Sequence, residues 1–133
     1  MASLTNPTVK ELLEQPNYAV ITTVNHDGSL HSTVVWINLD GDHAAVNSAI
    51  GRLWPTNLQR DPRIGVIVYE SGNPYNFVEI RGTANGTTEG ALDHINALAK
   101  KYIDRDEYPY LQPGEQRIKF VIEPTHVRHV RQG

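Results

Sequence analysis

Apolar residues along this chain come mostly in short β-branched runs, each closed by a turn signal, and less often in the three-to-four spacing of a helix. "YAVITTV" (Tyr18 to Val24) predicts a first buried strand, and "NHDG" (Asn25 to Gly28) follows it with the Asp-Gly pair of a tight turn. "LHSTVVWINL" (Leu30 to Leu39) predicts a second strand, "DGD" (Asp40 to Asp42) another turn, and "HAAVNSA" (His43 to Ala49) a third strand. Three strands joined by tight turns predict an antiparallel meander. "IGVIVYE" (Ile64 to Glu70) predicts the fourth strand, and "YNFVEIRGTANG" (Tyr75 to Gly86) a long fifth one after the turn "SGNP". Near the C-terminus, "RIKFVIEP" (Arg117 to Pro124) and "HVRHVR" (His126 to Arg131) predict two more.

Helical spacing appears between these runs. "TVKELLEQ" after Asn6-Pro7 predicts a short helix with Val9, Leu12 and Leu13 on its apolar face; Thr8 and Glu11 have the spacing of a capping box, and Pro16 ends it. "TNLQRD" (Thr56 to Asp61) predicts about one and a half turns, with Pro55 suited to the first turn. "TTEGALDHINALAKKY" (Thr87 to Tyr102) predicts the longest helix, with Leu92, Ile95, Leu98, Ala99 and Tyr102 on one stripe. Six or seven mostly antiparallel strands with two or three helices predict a mainly β (α+β) domain, a closed or partly closed barrel with flanking helices. A small barrel fills its interior with side chains, so a ligand site belongs on the outside or between subunits.

Length and charge narrow the function. At 133 residues the chain is the size of one domain, expected to span residues 1–133. It has no cysteine, which removes disulfides, thiolate metal sites and thiol nucleophiles. Net charge is −3, against a general nucleic-acid binder. No N-terminal apolar segment reads as a signal peptide and no run is long enough for a membrane span, so the expected location is the cytoplasm. Basic charge is local: Arg52, Arg60 and Arg63 cluster in "GRLWPTNLQRDPR", a patch suited to a small anion.

No nucleophile elbow, phosphate-loop or dinucleotide glycine motif is present, and the scattered histidines have no metal-ligand spacing. Two elements remain. Arg52 follows "NSAIG", where Asn47 and Ser48 offer amide and hydroxyl groups, and precedes a helix start whose N–H groups favour an anion. It is either a phosphate ligand or an ordinary surface arginine. Arg60 and Arg63 flank Asp61 and read as local structure. In "HSTVVWI", Ser32, Thr33, Val34, Val35 and Trp36 form an extended strand along which a heterocycle could bond backbone groups and lie on the indole. Trp36 reads equally as a core residue.

The order of "NYAVITTVNHDGSLHSTVVWINLDGD", "NSAIGRLWPTNLQRDPRIGVIVYE", "NPYNFVEIRGTA" and "HINALAKKYIDRDEYP" resembles the pyridoxamine-phosphate-oxidase-like split β-barrel superfamily over nearly the whole chain. Within it the sequence is most similar to the deazaflavin-dependent reductases of actinobacteria, which use coenzyme F-420. The resemblance implies a homodimer with sites at the interface. It also implies a cofactor phosphate at Arg52, a tricyclic ring along Thr33 to Trp36, and closure by Tyr75 and Asn76 of the other subunit. Many relatives carry Lys two residues after the arginine; here that position is Trp54, so that either the indole packs on the cofactor tail, or the phosphate site is weaker, or a different cofactor is used. Asn57 matches a family asparagine and reads as mostly structural. The implied activity is hydride transfer from reduced F-420 to an enone, quinone or tetrapyrrole. An FMN enzyme of the same fold and a non-catalytic F-420 carrier are the alternatives. No catalytic side chain and no metal ligand is singled out.

Overall fold

The computed structural model describes residues 3–132. Ten elements follow one another: α1 (Pro7–Glu14), β1 (Ala19–Val24), β2 (Leu30–Val35), β3 (Asn38–Asp40), β4 (His43–Ala49), α2 (Leu53–Arg60), β5 (Arg63–Glu70), β6 (Asn73–Thr87), α3 (Ala91–Ile103) and β7 (Arg117–Arg131). All strand pairs are antiparallel, in the order β2-β1-β5-β6-β7-β4-β3.

This order corrects the expected meander. The run Leu30 to Leu39 is not one strand: it breaks at Trp36-Ile37, the first part pairing with β1 and the second with β4. Those two parts are opposite ends of the sheet. Val35 and Asn38 are joined by a segment that can reach only about 10 Å. The sheet must therefore curl until its ends meet at this corner, which makes the barrel. The corner is held from α3. Tyr102 donates its hydroxyl to the Asn17 carbonyl and accepts the Ile37 amide at 3.2 Å, while Lys101 donates to the carbonyls of Ile37 (2.6 Å) and Leu13. Burial pulls the Lys101 ammonium down to about 8 and pushes the Tyr102 phenol up to about 12.

Alternation along the strands sends Ile21, Val66, Val68, Val78, Ile80, Phe120 and Ile122 into the core. The helices plug it. α1 sits by the start of β1, where Asn17 bonds the Leu12 carbonyl and the Ser71 amide, and it buries Val9, Leu12 and Leu13. α2 sits by the other end of β1, where Asn57 bonds Thr23 and Asn25 and Arg60 donates to the Val24 carbonyl.

Several boundaries move. Asn6, not Thr8, caps α1: its side chain accepts from the Thr8 amide at 3.0 Å, and Pro7 takes the first turn. α2 opens at Leu53, three residues earlier than expected, with Arg52 as its N-cap. Thr87 ends β6, paired with Lys119, so α3 starts only at Ala91. Leu92 is half exposed, and Ala91 and His94 take its place on the buried face. The two C-terminal strands are one, because Pro124 lies opposite Gly82 beside a bulge that leaves Thr125 as the extra residue of β7, a place where a strand tolerates proline.

Candidate functional site

The barrel is split along one line. β3 covers only His43 to Ala45 of β4, so Asn47 to Ala49 have no neighbour on that side, and β2 has none beyond β1. Between these two edges lies an open cleft of about 410 Å³. β2 and the corner after it contribute Thr33 to Trp36, β4 Asn47 and Ser48, the start of α2 Arg52 and Trp54, α3 Ile95 and Leu98, and β7 Arg117. Tyr108 and Tyr110 of the following loop complete it. Unpaired backbone groups of an edge strand thus face a volume that is apolar on one wall and cationic at one end.

Trp36 sets the aromatic end. Its ring stacks on Tyr102, with centroids 5.3 Å apart and planes 5° apart, and Tyr108 meets it edge-on at 6.1 Å. Because Tyr102 also bolts the Ile37 corner, the indole is fixed by the same contact that closes the barrel. Arg52 sets the charged end. Its guanidinium is half exposed and donates to Glu115 at 2.9 Å. The Leu53 and Trp54 amides fall in the first turn of α2, which has no intrahelical acceptor for them. Pro55 adds none.

Behind the cleft runs a buried polar network. Asn47 donates to the Ala91 carbonyl at 2.9 Å and to His94 Nδ1 at 3.0 Å, and accepts from Arg117 Nε at 3.0 Å. The donation to a carbonyl fixes which end of the amide is NH₂. His94 therefore accepts at Nδ1, carries its proton on Nε2, and donates to Asn38 at 2.8 Å. Burial, aided by Lys119 and Arg117, pulls His94 down to about 4, so the ring is neutral at ordinary pH.

Eight of the residues singled out from sequence meet in this cleft: Thr33, Val34, Val35, Trp36, Asn47, Ser48, Arg52 and Trp54. Two of them have other primary duties. The Asn47 side chain is committed to the network just described, and Trp54 is only 8% exposed, its ring packed on Phe120 at 5.6 Å. Four lie elsewhere. Ser32 points to the opposite face, which the Val34 side chain shares although Val34 borders the cleft, and there its hydroxyl pairs with Thr22 at 2.8 Å. Asn57 is buried and joins α2 to β1, away from the cleft. Asn76 borders a separate depression with Asn17 and Ser71 and bonds His129, and Tyr75 next to it is exposed. Arg60 and Arg63 serve local structure. Arg60 holds the Val24 carbonyl, and Arg63 clasps Asp61 through two nitrogens, which holds that carboxyl down at about 2.

Sequence reasoning missed Arg117, Glu115, Tyr108 and Tyr110. Arg117 enters because the β4–β7 register sets it opposite Ala49, three positions before Arg52. Nothing local in "EQRIKF" signals this. Tyr108 and Tyr110 sit in a segment whose charge density reads as a solvated loop.

The fold and the cleft define a split-barrel protein with a candidate site at the open seam. The chain belongs to the pyridoxamine 5'-phosphate oxidase family, whose pattern it matches over residues 5–131. No protein of curated function matches it. Among solved structures, it is similar to an F-420 reductase at 24% identity, covering 90% of this chain and 94% of that one, with a TM-score of 0.77. A conserved hypothetical protein from Mycobacterium tuberculosis is 17% identical, with 96% and 84% covered and a TM-score of 0.79. A putative pyridoxamine 5'-phosphate oxidase from Listeria innocua is 21% identical, with 95% and 98% covered and a TM-score of 0.73. Such distant likenesses speak for the shared fold. Among the described residues no helix is long and apolar enough to cross a membrane.

Proposed function

We propose that the protein is an oxidoreductase that binds coenzyme F-420 in the seam cleft and passes a hydride to an electron-poor organic acceptor of the enone, quinone or tetrapyrrole type. The observation that carries this reading is the convergence in one cleft of an arginine at a helix start, an unpaired strand edge and a fixed indole. A phosphorylated cofactor with a flat ring fits that polarity: charge to Arg52, ring to the Thr33–Trp36 edge. Such a cofactor supplies the hydride chemistry itself. The chain's own residues would hold the phosphate through Arg52 and bond the ring's polar edge with free N–H and C=O groups of β2. Trp36, Tyr108 and Leu98 would keep water from one face. Alignment of this kind lowers a barrier by several kcal/mol. Solvent reaches the open cleft and would supply the proton.

A second copy of the chain belongs to the same proposal. The outer face of β2 and its neighbours carries exposed Leu30 (71%), Val34 (62%) and Tyr69 (36%), apolar groups that a homodimer would cover. Tyr75 and Asn76 would then close the seam of the partner rather than their own. Light scattering should give twice the chain mass.

Mass spectrometry of cofactor retained from a host that makes F-420 tests cofactor choice. F-420 supports the reading, and FMN would replace it with a flavin enzyme of the same fold. Stopped-flow oxidation of the reduced cofactor by an acceptor panel then separates enzyme from carrier: no turnover with any acceptor would leave a carrier.

A further inference from the structure

Glu115 is an unusual residue to find at the cationic end of this cleft. Its side chain is only 7% exposed, and it lies between two guanidiniums, 2.9 Å from Arg52 Nη2 and 3.3 Å from Arg117 Nη1. Its other partner is the Gln112 amide, at 3.4 Å from Oε2. Arg117 is more deeply placed still, with 4% of its side chain exposed. Its Nε is anchored on Asn47 and its plane lies over the Tyr108 ring at 4.9 Å. Yet Nη1 is buried and makes no well-aligned hydrogen bond, its approach to Glu115 being an ion pair of poor geometry. One carboxylate thus faces two cations, leaves a net positive charge, and leaves a buried donor underused. A half-satisfied buried ionic network is held weakly compared with a fully bonded one.

We propose that Arg52 and Arg117 form a single anion-binding subsite, that the Glu115 carboxylate is its resting occupant, and that a phosphate group enters by displacing it. A phosphate group carries one negative charge as a diester and about −1.5 to −2 as a monoester, with two or three free acceptor oxygens. It offsets the guanidinium charge and gives Arg117 Nη1 the partner that Glu115 does not. The displaced carboxylate has a way out, because it follows Pro113 and Gly114, the latter at φ +74°, at the end of an exposed loop. Seating a phosphate and rearranging the Tyr108-to-Glu115 segment become one event, so the same motion re-sets the aromatic wall at Tyr108. The inference rests on the cofactor reading only for what the phosphate is attached to.

The test uses the full chain and inorganic pyrophosphate. In Glu115→Gln, calorimetry should show pyrophosphate bound about tenfold more tightly than by the wild type, since a competing charge is gone. Independently, hydrogen exchange at the Gln112 amide of the wild type should speed up when pyrophosphate is added, because its acceptor leaves. This second readout decides the matter if Glu115→Gln folds poorly. Equal or weaker binding by a folded Glu115→Gln, or an unaltered Gln112 amide at saturating pyrophosphate, overturns the proposal. F-420 and FMN are titrated alongside. If pyrophosphate behaves as expected and neither cofactor binds, the cofactor reading fails and the subsite stands. If a cofactor binds through Arg52 and Glu115→Gln changes nothing, the subsite proposal alone fails.

Discussion

Acidifying this protein from about pH 7 to about pH 5 should weaken it through one side chain, His94. The ring is 7% exposed, wedged between Asn47 and Asn38, and holds its neutral form down to about 4 in the fold. In the unfolded chain it titrates near ~6.5. The folded value lies below the unfolded one, so between them the unfolded chain binds more protons. Stability is therefore complete above about 6.5 and is lost as pH falls toward about 4. Taking both protonation equilibria together, the loss is roughly 2 kcal/mol at about pH 5 and nears about 3 kcal/mol in stronger acid. The physical cause is specific: a second proton would sit on Nδ1, facing the NH₂ of Asn47, which the Ala91 carbonyl and Arg117 prevent from turning round. Urea denaturation at both pH values, on the wild type and on His94→Gln, isolates the effect, because every other titrating group is common to both. The wild type should lose about 2 kcal/mol more than the variant on acidification. Equal losses would mean that His94 is not held neutral by its surroundings, and the buried network would have to be redrawn.

Two further substitutions probe the frame that positions the cleft. Gly82→Ala would bring a Cβ to 2.1 Å from the Glu123 carbonyl oxygen, a backbone atom that cannot swing away; thermal melts should show a loss of about 1–3 kcal/mol or more. Gly65→Ala meets nothing closer than 4.0 Å and is the matched control. Asn57→Ala should cost roughly 1–3 kcal/mol in urea, because Thr23 and Asn25 lose a buried donor. A change within error would show that α2 does not depend on that contact.

β1, β4, β5 and β6 were legible because each rests on its own apolar run and turn, and the helix α3 because its stripe has the right period. The corner at Trp36-Ile37 was not, because both residues are apolar and continue the pattern of a strand. What bends the chain there is Tyr102 and Lys101, more than sixty residues away in sequence. Without that corner the sheet order cannot be deduced, and without the order Arg117 cannot be set beside Arg52. Arg52 and the Thr33–Trp36 strand could be found because each carries its chemistry locally. Glu115 and Tyr108 could not, since their role exists only once β7 lies against β4. Pro124 misled for a related reason: it breaks a strand unless a bulge accommodates it, and the bulge, with Thr125 as the extra residue of β7, exists only in the pairing with β6.

The central claim is that Arg52 holds the phosphate of a planar redox cofactor lying along β2. Equilibrium titration of F-420 and of FMN into wild type and Arg52→Ala, followed by tryptophan fluorescence, tests it most directly. The account predicts that the wild type binds one of them with quenching, and that Arg52→Ala weakens this by roughly 1.5–3 kcal/mol, about 10- to 150-fold. Undiminished affinity in a folded Arg52→Ala, or no binding of either cofactor by the wild type, contradicts it.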